Sequence, residues 1–376
     1  MRTATRRRLL AATGGGLAAL AGCSRRRGPS GSLDGSEGGD GGGDSGGGEN
    51  GSDGARPPTA DERLPLSMSP SALREAARSG GPPKDGIPSI DHPSFVDPSD
   101  AGFLNGGDPV FGVVRDGVSK TYPQKILVQH EIVNDVLAGD PVAVTYCPLT
   151  GTVQGFERGG TTFGVSGRLI NNNLVMYDRE TETWWPQILA TSIPGPWNED
   201  PEIASLREFR LVWTTWERWR GHRPDTRVLS TDTGHAKNYG RDPYGSYNPQ
   251  GGYYGNDSLL FPALSNDDTF GRKRVVMGAR TPAGAAAFLK DALREREVIS
   301  GRIGDTPVVA AYDDRLDTAY AYLNPEEATV ESTDGTAVRV DGERHTPADL
   351  PLEEVHTFDA MWFAWAGYYP DTNVYE

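Results

Sequence analysis

PVAVTYCPLTGTVQGF (Pro141–Phe156) decides the fold when it is laid over PVVAAYDDRLDTAYAY (Pro307–Tyr322). Each stretch opens on Pro-Val and runs through apolar or small residues to a tyrosine. Each then turns and resumes at a threonine, Thr152 or Thr318. Short apolar runs bounded by turn residues read as buried strands, so both stretches read as strand, turn, strand. The overlay extends with no gap from Val110–Phe156 onto Val276–Tyr322, placing Gly112 on Gly278, Leu127 on Leu293 and Glu131 on Glu297. The shared residues are those a backbone needs. This weak internal repeat predicts a β-rich α+β fold, two weakly related strand–helix–strand halves packed as one domain about a pseudo-two-fold axis.

Two overlaid positions differ in chemistry. His130 lies over Arg296, and Cys147 lies over Asp313. A carboxylate at the counterpart of Cys147 argues against a plain packing role for that thiol. The first copy is therefore where a site is sought.

Local signals fill in the rest. PVFGVV, Asp116-Gly117 and VSKTYP predict a hairpin, and Pro123 opens a short helix, QKILVQHE, with His130 near its end. TVQGFER and TTFGV, joined by Gly159-Gly160, read as a second hairpin, and Leu174–Asp178 as a strand. Thr281–Glu297 reads as a helix with Thr281 as N-cap and Pro282 at its first position. The Gly/Tyr-rich stretch Asp242–Asp257 is too long for a simple turn and is a candidate lid.

The first residues carry Arg2, Arg6, Arg7 and Arg8 ahead of a short, glycine-broken apolar stretch, Leu9–Ala21. That is too short to span a bilayer and fits a leader of the twin-arginine export route over residues 1–22. Leu20-Ala21-Gly22-Cys23 resembles a lipoprotein cleavage box, with Cys23 as the lipidated residue. Residues 23–83 then read as a disordered, acidic Gly/Ser-rich tether, and 84–376 as the globular domain. The expected location is the external face of the cytoplasmic membrane, with the lipid as membrane partner.

The formal charge is −15. Without the four leader arginines, 33 basic residues face 52 acidic ones. Such an excess excludes nucleic acid and anionic lipid surfaces as electrostatic partners. It resembles secreted proteins of halophilic archaea, in which carboxylates keep the surface hydrated. Protein partners are not indicated.

Of the two cysteines, a lipidated Cys23 leaves Cys147 without a disulfide partner. Thiolate, imidazole and thioether ligands suit a soft metal, so Cys147, His130, Met176 and His235 form one candidate set, with copper as the cofactor and Asp178 as a further donor. In a second reading Cys147 is a nucleophile and His130 its base. Asn134 or Asp135 then orients the imidazole, and Thr150, Gly151 and Thr152 offer N–H groups to an oxyanion. Tyr244 and Tyr247 on the candidate lid are further binding residues. A third reading makes the chain a non-catalytic envelope module. In a fourth Cys147 simply fills core. No P-loop, dinucleotide fingerprint or zinc pattern occurs.

HEIVND (His130–Asp135), VTYCPLTGT (Val144–Thr152), NNNLVMYD (Asn171–Asp178), DPYGSY (Asp242–Tyr247), LLFP (Leu259–Pro262) and the terminal MWFAWAGYYPDTNVY resemble, in order, the domain of unknown function 3179. The resemblance covers Lys84–Tyr375 and implies no chemistry. The family's usual motif is Cys-Pro-Leu-Cys-Gly. Here Thr150 replaces the second thiol, which removes intramolecular dithiol cycling from this chain.

Overall fold

The structure, a computed structural model, describes residues 56–376. The leader, Cys23 and most of the tether lie outside the described residues. Among the described residues no helix is long and apolar enough to cross a membrane.

The architecture is strand-rich, with short helices at strand ends. Pro109–Arg115 and Val118–Pro123 form the expected hairpin across Asp116-Gly117. They anchor a five-stranded sheet with Val212–Thr215, Arg227–Leu229 and Phe95–Val96. Ile132–Leu137, Asp140–Cys147 and Thr152–Glu157 form an antiparallel meander, joined at its edge by Glu208–Phe209. Alternation along these strands places Val142, Val144 and Tyr146 in one buried cluster and Ala143 and Cys147 in another, so both faces are covered.

The same order recurs 166 residues later. Val275–Thr281 pairs with Gly284–Leu289, helix Lys290–Arg296 follows, and Val298–Ile303, Thr306–Asp313 and Thr318–Leu323 form a second meander. Beyond the meanders the correspondence continues at 146 residues. Val212–Thr215 runs into helix Trp216–His222 as Thr357–Met361 runs into helix Trp362–Tyr368. Arg227–Leu229 lies parallel to its sheet neighbour, as does Asn373–Tyr375. Tyr146 N donates to Glu131 O at 2.7 Å, and Tyr312 N to Glu297 O at 2.7 Å. Trp219 Nε1 donates to Thr226 Oγ1 at 3.1 Å, and Trp365 Nε1 to Thr372 Oγ1 at 3.0 Å. Different insertions separate the parts: Phe163–Ile170, Asn173–Asp178 and Trp184–Pro186 in the first set, and Val330–Ser332, Val338–Val340 and Glu343–His345 in the second.

Four local expectations change. Thr281–Glu297 is not one helix: Thr281 and Gly284 (φ +149°) close a tight hairpin, and Gly284–Leu289 is a strand. Its alanines favour helix intrinsically, but pairing with Val275–Thr281 and full burial of Ala286, Ala287 and Phe288 override that preference. Helix is confined to Lys290–Arg296. In the first set helix ends at Leu127, and His130 lies beyond it. Thr152–Glu157 and Phe163–Ile170 do not pair with each other but belong to different sheets. Finally, the part of the expected tether after Arg56 is folded. Thr59 bridges to Leu206, Arg78–Ser79 pairs with Phe163–Ile170, and Ser69 caps the helix Pro70–Ala76 that buries Leu73. Leu64, Leu66, Met68 and Leu73 supply the apolar surface that the more distal Gly/Asp-rich sequence lacks.

In both sets a tryptophan packs tightly on a mid-strand glycine. A Cβ at Gly278 would lie 2.0 Å from the Trp365 ring, and one at Gly112 would lie 2.4 Å from Trp219. Gly278→Ala should therefore destabilise by about 1–3 kcal/mol through overpacking. Gly102→Ala, with nothing within 4 Å, should leave the urea midpoint nearly unchanged. Equal midpoints for the two variants would contradict this packing.

Candidate functional site

The turn Pro148–Gly151 joins the central strands of the first meander. Gly151 adopts φ +58° to close it. Thr150 O accepts from Met361 N at 2.9 Å, which ties the turn to the second set. Thr150 Oγ1 accepts from Asn173 Nδ2 at 3.1 Å. Asn173 also donates to Gln187 Oε1 at 2.9 Å, and Gln187 Nε2 donates to Thr145 Oγ1 at 2.9 Å. Thr152 Oγ1 donates to Thr150 O at 3.2 Å. This buried amide network fixes Thr150 in place.

Cys147 is 1 % exposed. Its thiol donates only to Asn172 O, at 3.4 Å. Burial and then the neighbouring Glu131 push the thiol up to about 11, against the opposing pull of Thr150 and of backbone N–H groups. Glu131 is 7 % exposed and adopts φ +60°. Burial alone raises its carboxyl to about 8, and no hydrogen bond to that carboxyl forms among the described residues. Both groups are thus protonated at neutral pH.

Their counterparts in the second set are satisfied. Glu297 has the same backbone conformation, φ +64°, but its carboxylate accepts from Ser332 Oγ and from Gly335 N. Asp313 accepts two bonds from Arg315, at 2.9 and 2.8 Å. The fold can therefore bond a carboxylate at both positions; in the first set Cys147 donates to Asn172 O, and only the Glu131 carboxyl lacks a hydrogen bond among the described residues.

The stretch Asp242–Asp257 covers this centre as a lid. Its two strands, Gly245–Tyr247 and Gln250–Gly252, pair only with each other. Tyr253 OH donates to Leu149 O at 2.8 Å, and burial pushes the Tyr244 and Tyr253 hydroxyls well up. Lys273 Nζ donates to Tyr253 O at 2.5 Å and Ser258 O at 2.7 Å, which fastens the lid's far side. Tyr247 packs on Trp213 with ring centroids 4.7 Å apart. Its hydroxyl lies 3.4 Å from where a Gly151 Cβ would be.

Tyr247 and Trp213 also line a cavity of about 360 Å³ with Lys290, Arg294, Asp317 and Asp359. Lys290 pairs with Asp359, and both side chains are about nine-tenths buried. Arg294 forks onto Asp317 with two 2.8 Å bonds, and Tyr312 OH donates to the same carboxylate at 2.5 Å. Burial would raise Asp317, but Arg294, Lys290 and Tyr312 outweigh it and hold the carboxyl at about 2. The equivalent first-set positions are Gln124, Val128, Gly151 and Trp213, which carry no charge.

The expected site residues separate. Cys147, Thr150, Gly151, Thr152, Tyr244 and Tyr247 surround the turn and lid. His130 belongs elsewhere. Its Nδ1 donates to Pro88 O at 2.8 Å, and its Nε2 accepts from Tyr239 OH at 2.7 Å. Burial lowers its pKa to about 4, so it is neutral and already bonded through both nitrogens. It has no free nitrogen with which to serve Cys147 as a base. The exposed His235 ring lies 5.3 Å from His130. Asn134 bonds Asp91 and Phe163, and Asp135 pairs with Lys120 and Tyr122, so neither orients the imidazole. Met176 is core opposite Trp185. Asp178 caps a turn, accepting from Thr181 N, Thr181 Oγ1 and Trp185 Nε1. Among the described residues no group of three or more His, Cys, Asp or Glu side chains converges as a metal shell.

Glu131 and the Lys290/Asp359 pair were not read from the sequence as site residues. The signal for Glu131 was present: it falls on Glu297 in the overlay, an identical acid just ahead of a strand. A protein family of unknown function, DUF3179, matches residues 84–372. The chain belongs to that family. No curated protein and no solved structure matched. The DUF3179 region therefore takes in the turn, the lid and the charged cavity.

The raised carboxyl fixes a sign. Stability contributed by protonated Glu131 is fully present below its unfolded value of 4.5 and is lost as pH rises through about 8. Glu131→Gln should stabilise the protein at pH 8.5 by a few kcal/mol and little at pH 4.5. Urea unfolding at both pH values checks this. An equal effect at both would contradict it.

Proposed function

We propose that the protein is an exported, lipid-anchored binding protein whose ligand is a small zwitterion, of amino-acid size, held in the charged cavity beneath Tyr247. The observation that carries this reading is the Lys290–Asp359 pair, buried to about nine-tenths yet lining a cavity. Removing two charges from water costs several kcal/mol each, and packed apolar residues are often as stable there. The uncharged Gln124 and Trp213 at the equivalent positions support the view that the backbone does not require the pair. A cavity of 360 Å³ suits a small molecule with opposite charges at its two ends.

The two recurring sets of elements fit two copies of one unit that have since diverged. Support comes from the shared registers and from a charge swap. Lys125 pairs with Asp108 in the first set, and Asp291 pairs with Arg274 at the same positions of the second. On this reading the first copy kept the lidded turn, and the second contributes the charged wall. The geometry gives less support to a soft-metal or copper site, since the sulfur and imidazole donors stand apart.

Calorimetry with glycine, glutamate and lysine as probes, and glucose as the uncharged control, tests the cavity. At least one zwitterion should bind, and the double variant Lys290→Met/Asp359→Leu should lose at least about tenfold in affinity while staying folded. Binding unchanged in the double variant, or no binding of any probe, would overturn the reading. Export and anchoring predict that the wild-type protein fractionates with membranes and that Cys23→Ala releases it into the medium. A wild-type protein found in the cytosol would contradict both.

A further inference from the structure

We infer that the cleft beside Trp219, where the two sets of elements meet, is a second binding site, and that it takes a small monocarboxylate with an apolar body, of the benzoate kind. The cleft encloses about 500 Å³ and shares no lining residue with the cavity beneath Tyr247. Its assignment therefore stands apart from the zwitterion reading.

Three observations carry the inference. Arg210, Arg223 and Arg315 all line the cleft. Arg315 is committed to Asp313 through bonds of 2.9 and 2.8 Å. Arg210 and Arg223 pair with no carboxylate among the described residues, although acids outnumber bases in this chain. Arg210 is held in place nonetheless. Its Nε donates to Thr357 Oγ1 at 3.1 Å, its Nη2 donates to Thr318 Oγ1 at 2.9 Å, and its guanidinium lies 3.9 Å from the centre of the Tyr320 ring. Arg223 Nε is shut off from solvent and has no hydrogen-bond partner among the described residues. A buried, unmet guanidinium donor costs stability and points to an acceptor that a ligand supplies. Next, the fold is able to fill this place. At the offsets of 166 and 146 residues, Cys147 stands for Asp313, Leu149 for Arg315, Phe358 for Val212 and Tyr369 for Arg223. All four are 5 % exposed or less and belong to one core cluster. The same backbone thus packs solid on one side and leaves an arginine-lined opening on the other. Finally, an apolar wall faces the same space. Val113, Val212 and Leu316 line it beside Val114, which is 43 % exposed.

The ligand class follows from the lining. Asp349 and Glu354 also line the cleft, both as exposed residues. With Asp313 neutralised by Arg315, these two acids balance Arg210 and Arg223 in formal charge. A dianion would meet repulsion from them, whereas a single carboxylate is matched by one guanidinium. Arg223 offers that carboxylate a planar, charged donor, and Arg210 adds to the positive field. His222 lies on the same lining. Burial lowers its pKa, Arg223 and Arg315 lower it further and Asp313 opposes them, so it adds no charge at neutral pH. The valines and Leu316 then cover the body of the acid, which excludes small hydrated anions as good ligands.

The test is calorimetry on the full chain at neutral pH, with benzoate as the probe and benzyl alcohol as its uncharged analogue. Benzoate should bind, and benzyl alcohol should bind at least about tenfold more weakly. Arg223→Met keeps the apolar stem and should weaken benzoate binding by at least about tenfold. Val114→Glu alters an exposed position and sets a carboxylate on the apolar wall, so it should weaken benzoate to a similar extent. If Arg223→Met does not fold, Val114→Glu decides alone. The double variant Lys290→Met/Asp359→Leu should bind benzoate as the wild type does. No benzoate binding, equal binding of the alcohol, or unchanged affinity in a folded cleft variant would overturn the site. Loss of benzoate binding in the Lys290/Asp359 double variant would place the acid in the other cavity and would overturn it as well.

Discussion

A tryptophan ring lying flat on a mid-strand glycine is the constraint on which the rest of this structure depends. Trp219 lies on Gly112, and Trp365 lies on Gly278. Each indole N–H is fixed by a threonine, Thr226 or Thr372, just before a strand that joins the same sheet in parallel. This contact sets how closely each short helix approaches its sheet. The helix Trp362–Tyr368 in turn brings Met361 N to Thr150 O, and so docks the second set on the turn that follows Cys147. Aromatic burial of this size outweighs the conformational cost of glycine within a strand.

Once that docking is made, the two meanders present equivalent positions to different surroundings. The first is capped by the tyrosine-rich lid, and in the second Arg315, Ser332 and Gly335 bond the equivalent carboxylates. Polar groups in the scaffold around Cys147 are bonded almost completely, as the Thr150–Asn173–Gln187–Thr145 chain shows. Glu131, 7 % exposed, differs in that its carboxyl accepts no hydrogen bond among the described residues. Buried carboxyls without partners raise their own pKa and wait for a change in solvation. The nearby histidines tilt stability the other way. His130 and His356 are both lowered to about 4, so the unfolded chain takes up protons at 6.5 that the folded chain refuses. Stability accordingly falls as pH drops through that window.

Much of the fold was legible in residues. Asp116-Gly117 announced its hairpin, and the overlay of Pro141–Phe156 on Pro307–Tyr322 marked two meanders that occupy matching residue ranges. The same overlay placed Gly284–Leu289 on the strand Val118–Pro123, and it should have outweighed the helix-forming alanines there. Helix propensity is a local quantity, whereas the pairing that overrides it is not. Leu64–Leu73 was missed as folded sequence because its few apolar residues follow a long Gly/Asp run. The packing of Asp242–Asp257 over the turn was legible in the length and Gly/Tyr content of that stretch. The unbonded Glu131 carboxyl was not singled out, because the neighbouring His130 is the conventional base in sequence. The charged cavity escaped notice because Lys290, Arg294, Asp317 and Asp359 converge only when the helix Lys290–Arg296, the turn after Asp313 and the strand Thr357–Met361 pack together.

The most direct measurement is a titration of the Glu131 carboxyl by carbon NMR, assigned with Glu131→Gln. A midpoint near 8 is the result this account predicts. A midpoint near the ordinary 4.5 would contradict it. Glu131 would then be hydrated or paired in solution, and its contrast with Glu297 would disappear.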